Sequence, residues 1–157
     1  MRYILILYLF LSTPTLAGVD LVKVIKSDNK MYLLEKGNII KVYHVALGAE
    51  PKGHKQQEGD QKTPEGTYVL DYKKEDSSFY RAMHISYPNS DDMKQAKIKG
   101  VSAGGLIMVH GQKNNQGWLA PYTQKSNWTN GCIALTNAEM DEFMALVDVG
   151  TRIHIEW

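Results

Sequence analysis

The sequence predicts a mainly β fold, a curved sheet or β-sandwich with one or two short helices. Short apolar segments recur along the chain, and turn residues such as Gly, Pro, Asn and Asp separate them. A single stretch carries the i, i+3, i+4, i+7 spacing of a helix, at Met140, Phe143, Met144 and Val147. The length of 157 residues fits one domain, and neither an internal repeat nor an interdomain linker divides it.

The first half of the chain predicts an antiparallel meander and then a long loop. Residues 20–26 alternate weakly between apolar and polar, residues 27–30 have turn composition, and residues 31–34 resume a strand, which indicates a hairpin. A third strand is predicted over residues 39–47. Residues 48–62 are polar and contain three glycines without apolar periodicity. Long ordered loops are often functional, so this loop is a candidate to border a site.

The second half predicts further strands within residues 67–72 and 79–87, with one or two helical turns over residues 92–99. Residues 106–109 are apolar and lie between glycines, which predicts a short buried strand. Residues 112–127 are polar and predict a loop.

The helix predicted near the C-terminus begins with a capping box, because Thr136 or Asn137 precedes Glu139 at a spacing that satisfies free backbone N–H groups. One face of this helix carries the four apolar residues named above, so that face is expected to be buried. Gly150 ends the helix region, and the alternating residues 151–157 are predicted to close the sheet as its last strand.

Residues 1–17 are typical of a secretory signal segment. A positive start precedes an uninterrupted apolar run over residues 3–11, and Ala17 is a small residue at a suitable cleavage position. Nine apolar residues are too few to span a bilayer, which needs about 20. We expect export, cleavage after Ala17 and a mature domain over residues 18–157 that has no membrane partner. The alternative is an N-terminal buried strand.

Charge and motif spacing exclude several classes of function. The formal net charge is +1 with acidic and basic residues interspersed, whereas a nucleic-acid partner would need a clustered basic surface. No pair of histidines has the H-E-x-x-H spacing of a zinc peptidase. We therefore predict neither a metal nor an organic cofactor.

Cys132 is the only cysteine, so the chain forms no internal disulfide. A leftover thiol in an exported chain is buried and inert, bridged to another molecule, or reactive, and the count alone favours the inert state. The context favours reactivity, because Gly131 allows a ligand or another chain segment to come close to the backbone. A buried strand cysteine would also be flanked by Ile133 and Leu135, so that alternative stays open.

His110 follows the apolar segment 106–109 and precedes Gly111, so its ring is predicted to project into a cleft at the edge of the sheet. A thiol has a pKa of about 8.5 and needs a neighbouring base to react at neutral pH. Cys132 as nucleophile and His110 as base therefore form a candidate dyad, with backbone N–H groups of Gly131 and Cys132 as the simplest oxyanion donors. A core thiol and a hydrogen-bonded strand-end histidine are the alternatives.

His110-Gly111 and the stretch TNGCIALTN at residues 129–137 resemble the catalytic signature of L,D-transpeptidases of the YkuD type. The resemblance extends upstream to residues 62–68 (KTPEGTY) and 86–89 (SYPN), and it covers most of the mature chain. Such enzymes are periplasmic or wall-associated cysteine enzymes that act on peptidoglycan stem peptides. The resemblance implies the curved β-sandwich of that catalytic domain, and a periplasmic location.

Carried over to this sequence, the resemblance implies that Cys132 is the nucleophile, His110 the general base and acid, and the Gly111 backbone carbonyl the group that orients the imidazole. The N–H groups of Gly131 and Cys132 are implied as the oxyanion hole. The thiolate would attack the carbonyl of an L-centre, expected to be meso-diaminopimelate, and a second amine or water would then resolve the thioester.

Two positions depart from the usual family pattern. Asn130 stands where the family has His, and Ala134 stands where the family often has Arg. The lost Arg, a contact either to a substrate carboxylate or within the fold, puts ordinary crosslinking in doubt. The form GCIAL at residues 131–135 is similar to a branch that includes an enzyme detaching an outer-membrane lipoprotein from diaminopimelate, which would make hydrolysis the outcome.

The preferred hypothesis is therefore an exported cysteine acyl-transfer enzyme acting on peptidoglycan stem peptides. Within that class, the alternative is a hydrolase that releases a peptidoglycan-linked lipoprotein or a terminal D-residue. Outside it, the alternative is a non-catalytic wall-binding module with an inert thiol.

Four further residues are candidates for substrate binding: Tyr87, His84, Trp128 and Asn130. For His84 the alternative is a packed or surface histidine, and the two aromatic residues also fit the core or the rim of a groove. The remaining histidines lie in predicted strands or in the charged loop and are expected to be structural or exposed: His44, His54 and His154.

Overall fold

The computed structural model of the chain describes residues 18–157, so the signal segment expected at residues 1–17 lies outside the described part. Eight strands are present in that part: β1 (Leu21–Ile25), β2 (Lys30–Glu35), β3 (Asn38–His44), β4 (Gly66–Ser77), β5 (Tyr80–Ile85), β6 (Met108–His110), β7 (Ile133–Ala134) and β8 (Arg152–Glu156). The accompanying α-helices are α1 (Ser90–Lys99), α2 (Ala120–Thr123) and α3 (Asn137–Leu146). The strands form one mixed sheet in the order β3-β2-β1-β8-β4-β5-β6-β7, which confirms the mainly β prediction.

The antiparallel meander predicted for the first three strands is confirmed. β1 pairs with β2 in a register that places Val22 opposite Leu33 and Val24 opposite Met31, and all four side chains are fully buried. β2 pairs with β3, again antiparallel. Because alternate residues of a strand share a face, β1 and β2 bury one face in the core and turn the other outward.

The last strand lies in the middle of the sheet. β8 pairs in parallel with β1 and antiparallel with β4, and the alternation of Ile153 and Ile155 with polar residues buries both isoleucines. The prediction that residues 151–157 complete the sheet is therefore confirmed. The parallel pairing with β1 has no local signal, since it joins residues more than a hundred positions apart.

Strands β4 to β7 form the other half of the sheet and carry the candidate site. β4 and β5 form a long antiparallel hairpin, β5 pairs with β6, and β6 pairs in parallel with β7. The strand predicted over residues 106–109 begins two residues later than expected. Leu106 lies outside it at 73% exposure and φ +54°, because the preceding glycine-containing segment carries the chain over the surface before β6 begins.

The sheet curves until its two ends meet. After β3, Ala46 forms an antiparallel bridge to Ala134 in β7, and Gly48 forms a parallel bridge to Thr129. One hydrophobic core therefore includes residues from both halves of the sheet. This closure brings the loop at residues 48–62 beside the segment that contains Cys132.

The helices pack on or beside this sheet. α3 begins at the predicted capping box, in which the Thr136 side chain accepts from the Glu139 N–H, and it buries Met140, Phe143 and Met144. α2 and the 3₁₀ turn before it lie in residues 112–127, predicted as a loop, because such short helices carry no periodic pattern. Within residues 18–157, no helix is long and apolar enough to cross a membrane.

Candidate active site

The parallel pairing of β6 and β7 places His110 and Cys132 on one face of the sheet. His110 is opposite Ala134, and Val109 is opposite Ile133. Cys132 lies two residues before Ala134, and side chains two apart in an extended segment share a face. Val109 and Ile133 point the other way and are fully buried in the core. The thiol and the imidazole therefore lie diagonally across two adjacent strands.

Both side chains line a cavity of about 520 Å³ on this face of the sheet. Its other walls are aromatic, apolar and polar side chains from five stretches of the chain: Ser77, Phe79, Leu106, Met108, Lys113, Gln116, Thr123, Trp128, Thr129 and Asn130. Among these described residues Lys113 is the one charged side chain, so the cavity carries positive charge and no formal negative charge.

The hydrogen bond of the His110 ring determines its tautomer. Nδ1 lies 2.6 Å from the Gly111 carbonyl oxygen. A carbonyl oxygen only accepts, so Nδ1 carries the proton and Nε2 keeps a free lone pair. This is the form in which a histidine acts as a base, and the Gly111 carbonyl has the orienting position that the family resemblance implies.

Two aromatic side chains enclose the imidazole. The Phe79 ring lies 4.6 Å from the His110 ring between centroids, and the Trp128 ring lies 5.8 Å away in an edge-on arrangement. Burial lowers the pKa of His110, and the hydrogen bond to Gly111 opposes that shift. The ring is therefore held neutral, because the charged form would lose its hydration in this apolar setting.

The Cys132 thiol lies against the backbone that leads into β6. The Met108 N–H donates to Sγ at 3.4 Å, and Sγ is 3.7 Å from the Leu106 carbonyl oxygen. Burial raises the pKa of Cys132, while the Met108 N–H and the charge of Lys55 oppose that shift. In the described part of the chain no hydrogen bond joins Sγ to His110 Nε2, so the resting pair is a neutral thiol and a neutral imidazole.

A neutral resting pair predicts how alkylation of Cys132 depends on pH. Iodoacetamide reacts with the thiolate, and the raised pKa means that the thiolate forms only at alkaline pH. We expect the alkylation rate of the folded protein to keep rising past the ordinary thiol pKa of about 8.5. Mass spectrometry of timed samples measures the rate, with free glutathione titrated in parallel. A rate that is already constant near pH 7 would instead indicate a preformed thiolate–imidazolium pair.

The turn before Cys132 is held by the Thr129 side chain. Its hydroxyl donates to the Cys132 carbonyl at 2.7 Å and accepts from the Gly131 N–H at 3.1 Å. Gly131 has φ +127°, and a Cβ there would lie 2.6 Å from the Lys62 carbonyl oxygen. Of the two predicted oxyanion donors, the Gly131 N–H is thus engaged within the turn. The Cys132 N–H has no described acceptor outside the β-ladder.

The loop at residues 48–62 packs against this turn through the Lys62 carbonyl. Lys26 is only 1% exposed, and its ammonium donates to the carbonyls of Gly53 and Thr63 and to the Glu65 carboxylate, all within 2.9 Å. Burial lowers the pKa of Lys26 although Glu65 opposes the shift. The buried Lys26 ammonium, with its three acceptors, therefore holds in place the segment around Lys62 that contacts Gly131.

The structure separates the four predicted substrate-binding residues into two pairs. Trp128 and Asn130 line the cavity. Tyr87 is 3% exposed in the core, where its hydroxyl donates to the Ala103 carbonyl, and burial raises its pKa to about 12. The His84 side chain is 14% exposed, bonded to Asp71 and stacked on Tyr72. Neither Tyr87 nor His84 lines the cavity, because Tyr87 is packed in the core after β5 and His84 is paired with Asp71.

Ala134 lies in the buried part of β7. It is fully buried, and its carbonyl accepts from the Ala46 N–H and from the Gln124 side-chain amide. Gln124 in turn accepts from Gln112, whose amide also reaches the Leu135 carbonyl. A buried network of neutral side-chain amides therefore lies beside Ala134, one of the two positions that the sequence analysis singled out.

Several cavity residues were not identified from the sequence, namely Phe79, Leu106, Lys113, Gln116 and Thr123. No motif marks any of them, so only the tertiary structure brings them to the site. Among residues 18–157, no group of three His, Cys, Asp or Glu side chains is placed to hold a metal ion.

Comparison with known proteins identifies the family. The profile of the YkuD L,D-transpeptidase catalytic domain matches residues 20–155. The chain belongs to the L,D-transpeptidase family. That family acts on peptidoglycan stem peptides and is typically associated with the cell wall.

Two relatives and one solved structure are similar to this L,D-transpeptidase-family chain over most of its length. It is 30% identical to YafK of Escherichia coli K12 over 115 residues, 72% of this chain and 39% of YafK. It is 28% identical to YqjB of Bacillus subtilis over 144 residues, 89% of this chain and 73% of YqjB. The crystal structure of the helical cell shape determining protein Pgp2 from Campylobacter jejuni matches with TM-score 0.65 and 30% identity. The match covers 88% of this chain and 48% of Pgp2, so the chain spans less than half of YafK and of Pgp2.

Proposed function

We propose that this L,D-transpeptidase-family chain is a cysteine acyl-transfer enzyme that acts on peptidoglycan stem peptides at meso-diaminopimelate, through a thioester. The observation that carries the proposal is the shared cavity of Cys132 and His110, in which His110 Nδ1 donates to Gly111 and leaves Nε2 unprotonated. An inert core thiol would need neither an open cavity nor a neutral histidine oriented on the same face.

In the first half of the proposed reaction, Nε2 of His110 takes the thiol proton as Sγ of Cys132 attacks the carbonyl carbon of the L-centre. Proton transfer during attack suits this pair, because burial disfavours both charged forms before substrate is present. The tetrahedral oxyanion collapses and expels the next residue as an amine, which receives the proton from His110. A thioester on Cys132 remains.

The oxyanion of this intermediate needs a donor close to Sγ. The backbone N–H of Cys132 is the proposed first donor. The Gly131 N–H becomes the second if it exchanges Thr129 Oγ1 for the substrate oxygen, a local shift within one turn.

In the second half, a second amine resolves the thioester as transfer, or water resolves it as hydrolysis. Hydrolysis is the alternative because of the two departures from the family pattern. Asn130 lies on the cavity wall, and Ala134 is buried. The hydrolase would release a diaminopimelate-linked lipoprotein or a terminal D-residue. Exposed Lys113 supplies positive charge for a substrate carboxylate in either case.

Incubation of purified tetrapeptide muropeptides with the protein, followed by mass spectrometry, tests the function. Crosslinked dimers establish transfer, and tripeptides establish removal of the terminal D-residue. Release of protein from lipoprotein-bearing sacculi without either product establishes the amidase. If all three assays stay negative while Cys132 resists alkylation in the folded protein, the wall-binding module with an inert thiol replaces the enzyme.

The proposed setting is the periplasm, reached by export with the segment at residues 1–17. Pgp2 is described as determining helical cell shape, so a contribution of this chain to cell shape through stem-peptide modification belongs to the proposal. A deletion strain complemented with the native gene or with a Cys132→Ala allele would separate catalysis from mere presence in the wall.

A further inference from the structure

We propose that Asn137 is a positioning residue for His110, acting through the peptide bond between Gly111 and Gln112. The Gly111 carbonyl accepts from His110 Nδ1 at 2.6 Å, and the Gln112 N–H donates to Asn137 Oδ1 at 2.8 Å. These carbonyl and N–H groups belong to the same peptide unit. Because that unit is planar, the bond to Asn137 sets the direction in which the carbonyl points.

The amide of Asn137 has little room to turn. A Cβ built on Gly111 would lie 2.7 Å from Asn137 Oδ1, and a Cβ built on Gly117 would lie 2.8 Å from Nδ2. The side chain is therefore wedged between two glycine backbones, one on each side of its amide group. Close approach of this kind explains why both positions are glycine, since any larger residue would displace the amide.

The backbone of Asn137 is also held in place. It is the first residue of α3, directly after Thr136, and the capping box between Thr136 and Glu139 fixes that end of the helix. The helix is buried on one face by Met140 and Phe143. The packed helix therefore fixes the position of Asn137, and the hydrogen bond from Asn137 fixes the orientation of the Gly111–Gln112 peptide beside the imidazole.

The neighbouring backbone groups do not replace this bond. The Gly111 N–H donates to the Arg81 carbonyl, and the His110 carbonyl accepts from Leu135. Both contacts belong to the single His110–Gly111 peptide unit. The Gly111–Gln112 peptide is the next one along the chain. The described hydrogen bonds of its carbonyl and N–H groups are those to the His110 and Asn137 side chains. Donation by the Gln112 N–H also polarises the carbonyl and makes it a stronger acceptor for Nδ1–H.

The consequence is a preference for one tautomer. With the carbonyl aimed at Nδ1, the proton stays on Nδ1 and the lone pair of Nε2 faces the cavity. The catalytic part of the inference rests on the proposed function, whereas the tautomer does not. Nitrogen NMR of protein labelled with ¹⁵N-histidine reports the tautomer directly, even in a chain without measurable turnover.

The test compares Asn137→Ala with Asn137→Asp. The alanine variant frees the peptide, and we expect a mixture of Nδ1–H and Nε2–H tautomers at His110. Its kcat should fall about 10- to 100-fold with KM nearly unchanged, as when the hydrogen-bond partner of a metal-bound histidine is removed. The aspartate variant keeps the acceptor oxygen and, since no described bond uses Nδ2, should keep the Nδ1–H tautomer. Its added negative charge should raise the His110 pKa and move the acid limb of the rate profile to higher pH.

Asn114→Ala is the matched control. Asn114 lies two residues after Gln112, and its side chain likewise accepts from a backbone N–H, that of Tyr80, and also donates to the Ser77 carbonyl. Its loss should lower thermal stability and leave the His110 tautomer at its native value. A folded Asn137→Ala protein with the native tautomer overturns the proposal. If that variant does not fold, an unchanged His110 pKa in Asn137→Asp overturns it, and absence of turnover in the native chain overturns only the proposed function.

Discussion

Replacing Cys132 with alanine is expected to lower turnover of the native substrate by roughly four to six orders of magnitude, the loss seen when an enzyme nucleophile is removed. The thiol supplies the covalent bond in both halves of the reaction, and no second cysteine exists in the chain to replace it. Product formation from muropeptides, measured by mass spectrometry, gives the rate. Residual turnover above about one-hundredth of the native rate would contradict a thioester route.

Two further variants separate chemistry from folding. Cys132→Ser keeps the shape of the site, yet we expect it to be nearly inactive, because the hydroxyl is far less acidic than a thiol. His44→Ala removes a histidine whose Nε2 is bonded to the Gln124 carbonyl and which does not line the cavity. It should therefore retain native turnover. Thermal unfolding of all three proteins checks that each has folded.

Replacing Gly131 with alanine is expected to damage both stability and activity. The new methyl would lie 2.6 Å from the Lys62 carbonyl oxygen and 3.2 Å from Ile107 Cδ1, at a φ of +127° that L-residues avoid. Backbone strain of this kind costs about 1–3 kcal/mol. The turn must shift to relieve it, and misplacing reacting groups by about 1 Å costs on the order of 10²-fold in rate. Chemical denaturation and steady-state kinetics measure the two effects.

Gly150→Ala is the control that separates the effect of the steric clash with the Lys62 carbonyl from the effect of the unfavourable φ. Gly150 has φ +96°, and nothing lies within 4 Å of the Cβ that alanine would add. We expect a loss of stability from backbone strain alone, with native kcat and KM. If Gly131→Ala behaves like Gly150→Ala, then the Lys62 carbonyl is free to move and the turn is not held by close backbone contact.

Local patterns predicted the elements whose causes are local. The meander of β1 to β3 follows from turn residues between apolar segments, and α3 follows from the capping box of Thr136 and Glu139 with apolar residues on one face. Cys132 and His110 also stand out locally, as a lone thiol after a glycine and a histidine at the end of an apolar segment. None of these observations depends on residues distant in the chain.

Other features have no local cause. The parallel pairs β1–β8 and β6–β7 depend on which edges remain available after the sheet curves. Leu106 is apolar and was predicted to be buried, yet the turn before β6 leaves it on the rim of the cavity. Tyr87 was a candidate for the groove, but the segment after β5 places it in the core, where its hydroxyl donates to the Ala103 carbonyl.

The sequence by itself determined the fold class, the family and the two residues proposed to react, because turn chemistry, hydrophobic period and a short motif are properties of neighbouring residues. Only the tertiary structure decided how those residues are held. The closure of the sheet, the aromatic enclosure of His110 by Phe79 and Trp128, and the bond from Asn137 to the peptide beside it join segments far apart in the chain. Such contacts follow from packing and the pairing of backbone groups, which no single stretch of sequence contains.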